Sequence, residues 1–112
     1  MKMRGSLPLL ILHILSGGQN HGYQISKLIK KQSEGILDFK EGTLYPALHS
    51  LEKQGLIEAF KEKKNGRTRR CYQLTEAGGV HLDMQRNEWS QFTKAVNQIL
   101  DSGHLLAFPG AL

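Results

Sequence analysis

The first apolar block in the chain, residues 7–16, is hydrophobic nearly all round, which predicts a helix buried on most sides. Pro8 falls in its first turn, Ser6 is placed to cap it, and Gly17-Gly18 ends it. A second helix opens at Asn20 or His21 and runs to about Gln32, with Ile25, Leu28, Ile29 and Gln32 as its inner stripe and Lys27, Lys30 and Lys31 off it. Tyr23 projects from its first turn, either onto a neighbouring element or toward a ligand. Residues 33–41 bring Ile36, Leu37 and Phe39 as a short strand or a plug under the core.

The helical pattern resumes with Leu44, Ala47, Leu48 and Leu51 on one stripe. With Gly42 or Thr43 as N-cap, Pro46 lies in the first turn, where its missing N–H is no loss. Gly55 suits the left-handed position after the helix, letting Leu56 close back onto Leu51. The opposite face carries Tyr45, Pro46, His49 and Lys53, an aromatic and hydrogen-bonding set unlike an ordinary solvated face. Two successive helices, the second displaying such groups, predict a helix-turn-helix with a lengthened turn.

From residue 57 the period switches to two. Asn65-Gly66 between alternating segments predicts a hairpin with a type I′ turn. A two-residue loop pairs Lys64 with Arg67, Glu62 with Arg69 and Phe60 with Cys71, and on the other face Ile57 with Leu74, Ala59 with Tyr72, Lys61 with Arg70 and Lys63 with Thr68. Apolar pairs lie at the base and cations at the tip. Lys61 facing Arg70 is unfavourable unless an anion joins them. A hairpin directly after a helix-turn-helix reads as the wing of a winged helix, and its tip as a phosphate contact rather than a merely solvated end.

Thr75 caps a last helix running to about Leu100, on the order of 39 Å long. Leu82, Gln85, Trp89, Phe92, Val96 and Ile99 recur at alternating spacings of three and four, a seam longer than a small domain can cover. One alternative is that the helix folds back on its own domain, where Leu10 and Ile14 of the first helix could receive part of the seam; a second copy of the chain is the simplest partner. Trp89 is then either an anchor stacked on its symmetry mate, the reading we favour, or one wall of a slot for a planar aromatic or hydrophobic effector. The tail from His104, with Leu105, Leu106 and Phe108, is either loosely ordered or packed on the dimer.

Composition sharpens this picture. One domain is expected of 112 residues. The net charge of +5 is local: residues 61–70 hold Lys61, Lys63, Lys64, Arg67, Arg69 and Arg70 against Glu62, and the rest sums to zero. A single cysteine, Cys71, excludes an intrachain disulfide and fits a reducing compartment. The absence of a signal peptide or a spanning apolar run predicts a cytoplasmic protein away from the membrane. No glycine-rich phosphate loop, zinc spacing, paired histidines or nucleophile elbow is visible, so neither an enzyme, a metal site nor a cofactor is expected.

Several segments together, Leu9–Leu15 into Gly17-Gly18, His21-Gly22-Tyr23-Gln24-Ile25, Gly42–Leu48, Leu51–Ile57 and Arg70–Gly78, resemble the PadR family of bacterial transcriptional regulators, from about residue 5 to 100. The resemblance implies a winged helix-turn-helix, mainly α with a β-hairpin wing, a homodimer built by the C-terminal helix and, usually, repression from an operator. The short single C-terminal helix is similar to the smaller subfamily, in some members of which aromatic residues of this helix line a hydrophobic pore at the dimer interface. Trp89 falls at the matching place. Cys71, where the family more often has an aromatic or polar residue, and the apolar tail depart from the pattern.

The expected division is 1–74 for the DNA-binding domain and 75–112 for the dimerisation helix and tail. The helix at 43–54 enters the major groove of double-stranded DNA, with Thr43, Tyr45, Pro46 and His49 near base edges or the adjacent backbone. Lys61, Lys63, Lys64 and Arg67 on the wing, with Tyr23 and Lys27, take phosphates. Without a groove-facing arginine, direct base discrimination is modest, and DNA shape and dimer spacing add the rest. The competing class is a winged-helix protein-interaction module whose basic tip binds an acidic partner.

Overall fold

Leu7, Ile11, Leu12 and Leu15 repeat at helical spacing, and in the computed structural model all four are buried on one helix, α1 (Leu7–Ser16). The structure describes residues 3–106, with side chains for 5–102. After α1 come β1 (Asn20–His21), α2 (Gly22–Gln32), α3 (Glu41–Lys53), β2 (Ile57–Lys64), β3 (Arg67–Leu74) and α4 (Glu76–Leu106). The chain divides into two units, one ending at Leu82 and one beginning at Asp83. The first is a winged helix-turn-helix: three helices around one apolar core, closed by a three-stranded antiparallel sheet in the order β1-β3-β2.

The entry to α1 differs from expectation. A 3-10 turn, Met3–Ser6, already gives Ser6 helical dihedrals, so its side chain makes no cap hydrogen bond. β1 was not foreseen, because two residues carry no periodicity; Asn20 pairs with Tyr72 and His21 with Cys71. On α2, Ile25 and Ile29 are buried and Leu28 half-buried, while Gln32 in the last turn is exposed rather than on the inner stripe.

No strand forms between α2 and α3. Glu34 and Gly35 take left-handed backbone (φ 54° and 85°) and turn the chain, with Gly35 N–H bonding back to Lys30 O at 2.8 Å. Beyond the turn Leu37 and Phe39, two residues apart, plug the core, while Ile36 is 76% exposed, against its expected place inside.

α3 begins earlier than the sequence suggests. Lys40, in extended backbone, is the N-cap, though its side chain makes no capping hydrogen bond, and Glu41 supplies an acidic residue to the first turn. Pro46 is therefore inside the helix, not in its first turn, and cannot donate the bond to Gly42 O; Gly42 is exposed, which leaves that carbonyl open to water. The other end follows expectation. Gly55 has φ 76°, its N–H reaches Glu52 O at 3.0 Å, and Leu56 N–H reaches Leu51 O at 3.0 Å, with both leucines buried.

The hairpin has the expected register at every rung from Ile57–Leu74 to Lys64–Arg67, around a turn with Asn65 at φ 53° and Gly66 at 76°. The Thr75 hydroxyl then joins three segments: it donates to Gly55 O (2.7 Å) and accepts from Gly78 N–H (3.0 Å), capping α4. Gly78 and Leu82 are buried in the first unit. α4 continues past the expected end near Leu100 to Leu106, because Ser102-Gly103 offers no left-handed stop and glycine alone only lowers helix propensity. The order of the tail beyond residue 106 lies outside the described residues.

Candidate nucleic-acid interface

Three elements of the first unit bring hydrogen-bonding and cationic side chains to the surface. On α3, Leu44, Leu48 and Leu51 point inward, which places Pro46, His49 and Lys53 outward and leaves Thr43 half-exposed. Tyr45 departs from the outward set. Its ring is half-buried against the core, and a Cβ on Gly22 would meet that ring at 3.0 Å. Gly22 thus lets α2 and α3 approach closely, with burial pushing the Tyr45 phenol pKa up and Glu41 adding to the shift.

On α2, Tyr23 is 60% exposed, and the Lys27 ammonium lies 5.2 Å from its ring centroid. On the hairpin, Lys61, Lys63, Lys64 and Arg67 are exposed, and a cleft of about 370 Å³ at the tip is lined by Lys64, Asn65, Arg67 and Arg69. The remaining two cations of the cluster have internal partners. Arg70 Nη2 lies 3.0 and 2.9 Å from the two carboxylate oxygens of Glu52 on α3, and its guanidinium sits over the Tyr72 ring at 5.9 Å. Arg70, the residue across from Lys61, thus has a carboxylate partner within the chain. Arg69 Nη1 is 3.1 Å from His21 Nε2.

His21 is in a demanding position. Its Nδ1 accepts the Gln24 N–H at 3.3 Å as the N-cap of α2, while Nε2 faces Arg69. A neutral imidazole has one acceptor nitrogen, so only one contact is a full hydrogen bond at a time, and imidazolium can make neither. Burial lowers the His21 pKa first, with Arg69 and Lys64 acting in the same direction and Glu62 opposing. A folded pKa below the unfolded value means that the unfolded chain binds more protons in the window between the two. Stability from this group is complete above about pH 6.5 and declines as the pH falls through that window. Melting temperature should accordingly drop between pH 7 and pH 5, and His21→Asn, which keeps a capping oxygen but does not titrate, should flatten that drop. An identical pH profile in the variant would exclude His21 as its source.

Cys71 is buried, and its thiol donates to the Glu62 carboxylate at 3.1 Å. Burial, then Glu62, pushes its pKa up, which leaves it a poor nucleophile. Among the described residues no three His, Cys, Asp or Glu side chains group to hold a metal, and no helix is long and apolar enough to cross a membrane.

The second unit carries the apolar seam. Trp89 and Phe92 are exposed to 37% and 43%, with ring centroids 6.1 Å apart and planes inclined at 37°. Ile99 is exposed, Val96 half-buried, and Gln85 Oε1 is buried without a hydrogen-bond partner among the described residues. Leu82, the first residue of the expected seam, belongs instead to the core of the first unit.

The sequence assigns no supporting contact to Gly22, Glu52, Arg69 or Arg70, which the structure places against Tyr45, Arg70, His21 and Glu52 respectively. The charge count signals the two arginines, but nothing local signals their partners.

Comparison with known proteins agrees with this architecture. The description "Transcriptional regulator PadR-like family" matches residues 11–84. The chain is 31% identical over 93 residues to the transcriptional regulator Rv3488 of Mycobacterium tuberculosis, covering 83% of this chain and 84% of that protein. A transcriptional regulator from Clostridium thermocellum superposes with a TM-score of 0.80 at 32% identity, over 86% of this chain and 94% of the other. Bacillus subtilis PadR, solved in complex with operator DNA, superposes with a TM-score of 0.65 at 26% identity, over 70% of this chain and 45% of that one.

Proposed function

The chain belongs to the PadR-like family of transcriptional regulators, and from that premise we propose that it represses transcription in the cytoplasm as a homodimer on a palindromic operator. The observation that carries the reading is the exposed face of α3 and the cationic hairpin tip within one unit, tied by Glu52 and Arg70. α3 enters the major groove with Thr43, Pro46 and His49 near base edges or the adjacent backbone. Tyr45 contributes its exposed edge while its packed face sets α3 against α2. Lys61, Lys63, Lys64, Arg67, Tyr23 and Lys27 take phosphates, which orient the protein without reading sequence.

Residues 1–74 serve as the DNA-binding part and 75–112 as the dimerisation helix and tail, with Trp89, Phe92, Val96 and Ile99 as the shared seam and Leu82 at its anchored end. The exposure of both large aromatics supports a second copy. Trp89→Ala should weaken the dimer by about 2 kcal/mol or more, roughly thirtyfold in the dimer dissociation constant, read by sedimentation across a dilution series. An unchanged dimer, with indole fluorescence quenched by planar aromatic cations, would instead make Trp89 part of an effector slot.

Selection of bound sequences from random duplexes by the purified protein tests the whole reading. Enrichment of a two-fold symmetric consensus is expected. Failure to enrich any sequence, with retention on acidic protein ligands, would favour the protein-interaction module.

A further inference from the structure

Arg69 and Arg70 are adjacent in β3, so their side chains leave opposite faces of the strand. Each meets one helix of the helix-turn-helix: Arg69 meets His21, the N-cap of α2, and Arg70 meets Glu52 in the last turn of α3. Both lie on the rungs where the apolar base of the hairpin gives way to its charged tip. Below them Ile57, Cys71 and Tyr72 are buried; beyond them Lys63, Lys64, Arg67 and Thr68 are all exposed.

We propose that Arg70 and Glu52 are positioning residues that brace the wing against the recognition helix. Arg70 thereby acts on DNA only through the angle between wing and helix. The inference rests on the DNA-binding reading above and deepens it, because it separates the charged hairpin into residues that touch phosphate and residues that aim those contacts. The geometry favours this division. Arg70 has its charge committed to a carboxylate and its planar face to a buried ring, whereas Lys63 and Arg67 at the tip are exposed and have no ion-pair partner among the described residues. A wing held at one angle meets phosphates only when α3 is seated in register, so the brace acts on specificity more than on affinity.

The test combines DNA binding with a measurement that needs no DNA. Arg70→Gln, Glu52→Gln and the exchange Glu52→Arg with Arg70→Glu are compared for affinity to the selected consensus duplex and to a random-sequence duplex, over a range of salt. Amide hydrogen exchange at 67–70 is followed in the free protein. Either single variant should lower the ratio of specific to random affinity by about two- to fivefold, the scale of a partly exposed ion pair, and should speed exchange in β3. Arg70→Gln should leave the salt slope on random DNA unchanged, whereas Glu52→Gln should steepen it by about 0.9 as the freed guanidinium finds a phosphate. The exchanged pair should restore both the ratio and the protection. A slope that shrinks by about 0.9 in Arg70→Gln would make Arg70 a phosphate ligand and overturn the proposal. So would unchanged exchange and an unchanged ratio in both single variants, or an exchanged pair that restores neither. If wild-type protein enriches no sequence while the single variants still loosen β3, the brace stands and the DNA-binding reading falls.

Discussion

Alanine at Gly78 should cost about 3 kcal/mol or more, while the same change one residue later should stabilise the protein. A Cβ at Gly78 would overlap the Leu56 carbonyl oxygen and come within 2.8 Å of Leu74 Cδ1. The obstruction is backbone, and it cannot swing aside: Leu56 O accepts the Thr75 N–H at 3.1 Å, and Leu56 N–H closes the end of α3. Relief requires the start of α4 to move off the α3–β2 junction, breaking the Thr75 cap with it, so the cost should reach or pass the upper end of the usual overpacking range of about 1–3 kcal/mol. At Gly79 the nearest atom to a new Cβ is Leu74 Cδ2 at 3.9 Å, an ordinary contact. There the substitution only trades glycine for the best helix former, worth about 0.5–1 kcal/mol. Thermal unfolding should thus show Gly78→Ala lower by on the order of 10 °C or more, and Gly79→Ala a few degrees higher. Two equal and small shifts would mean that the α4 entrance is loosely packed.

The opposed signs at two neighbouring glycines show where sequence reading stops. What is local was legible. Asn65-Gly66 fixed a hairpin register because positive φ at two adjacent positions admits few turns, and every rung follows from it. Gly55 marked the end of α3 for the same kind of reason, and Thr75 the start of α4. The start of α3 escaped because Lys40 caps by backbone geometry alone and leaves no side-chain signature. β1 escaped because it exists only through its pairing with β3.

The site was legible as a set of exposed types and illegible as a mechanism of support. Helical periodicity places Tyr45 outward; the empty space at Gly22, on another helix, draws its ring inward. Charge counting lumps Arg69 and Arg70 with the tip, yet their partners stand 48 and 18 residues away in the chain. Lys61 opposite Arg70 signals a like-charge rung, but not that Arg70 has a carboxylate partner, Glu52, on α3. Long-range partners of this kind are set by packing, which no local window contains.

Removing the charges that remain unpaired should produce the largest functional change. Lys61, Lys63, Lys64 and Arg67 carry no ion-pair partner among the described residues, and all four are exposed. Lys64 and Arg67 face each other across the turn, so the free tip holds a like-charge pair whose repulsion an approaching phosphate relieves. If each of the four meets one phosphate, replacing all of them by alanine should reduce the slope of log affinity against log salt by about 3.6, at about 0.9 per contact. Across a fourfold rise in salt, that difference makes the wild-type loss of affinity about 150 times greater than the variant's. The effect should be equal on consensus and random duplexes, because phosphate contacts carry no sequence, and the preference for the consensus should survive. Stability should change little, since the four side chains pack against nothing in the core and surface substitutions cost within about 0.5 kcal/mol. Filter binding or fluorescence anisotropy at several salt concentrations reads the slope directly. A slope equal to that of the wild type would show that the wing touches no DNA, and the cation cluster would then need another anionic partner. A slope reduced by about 1.8 would assign contact to two of the four, and single substitutions would identify which.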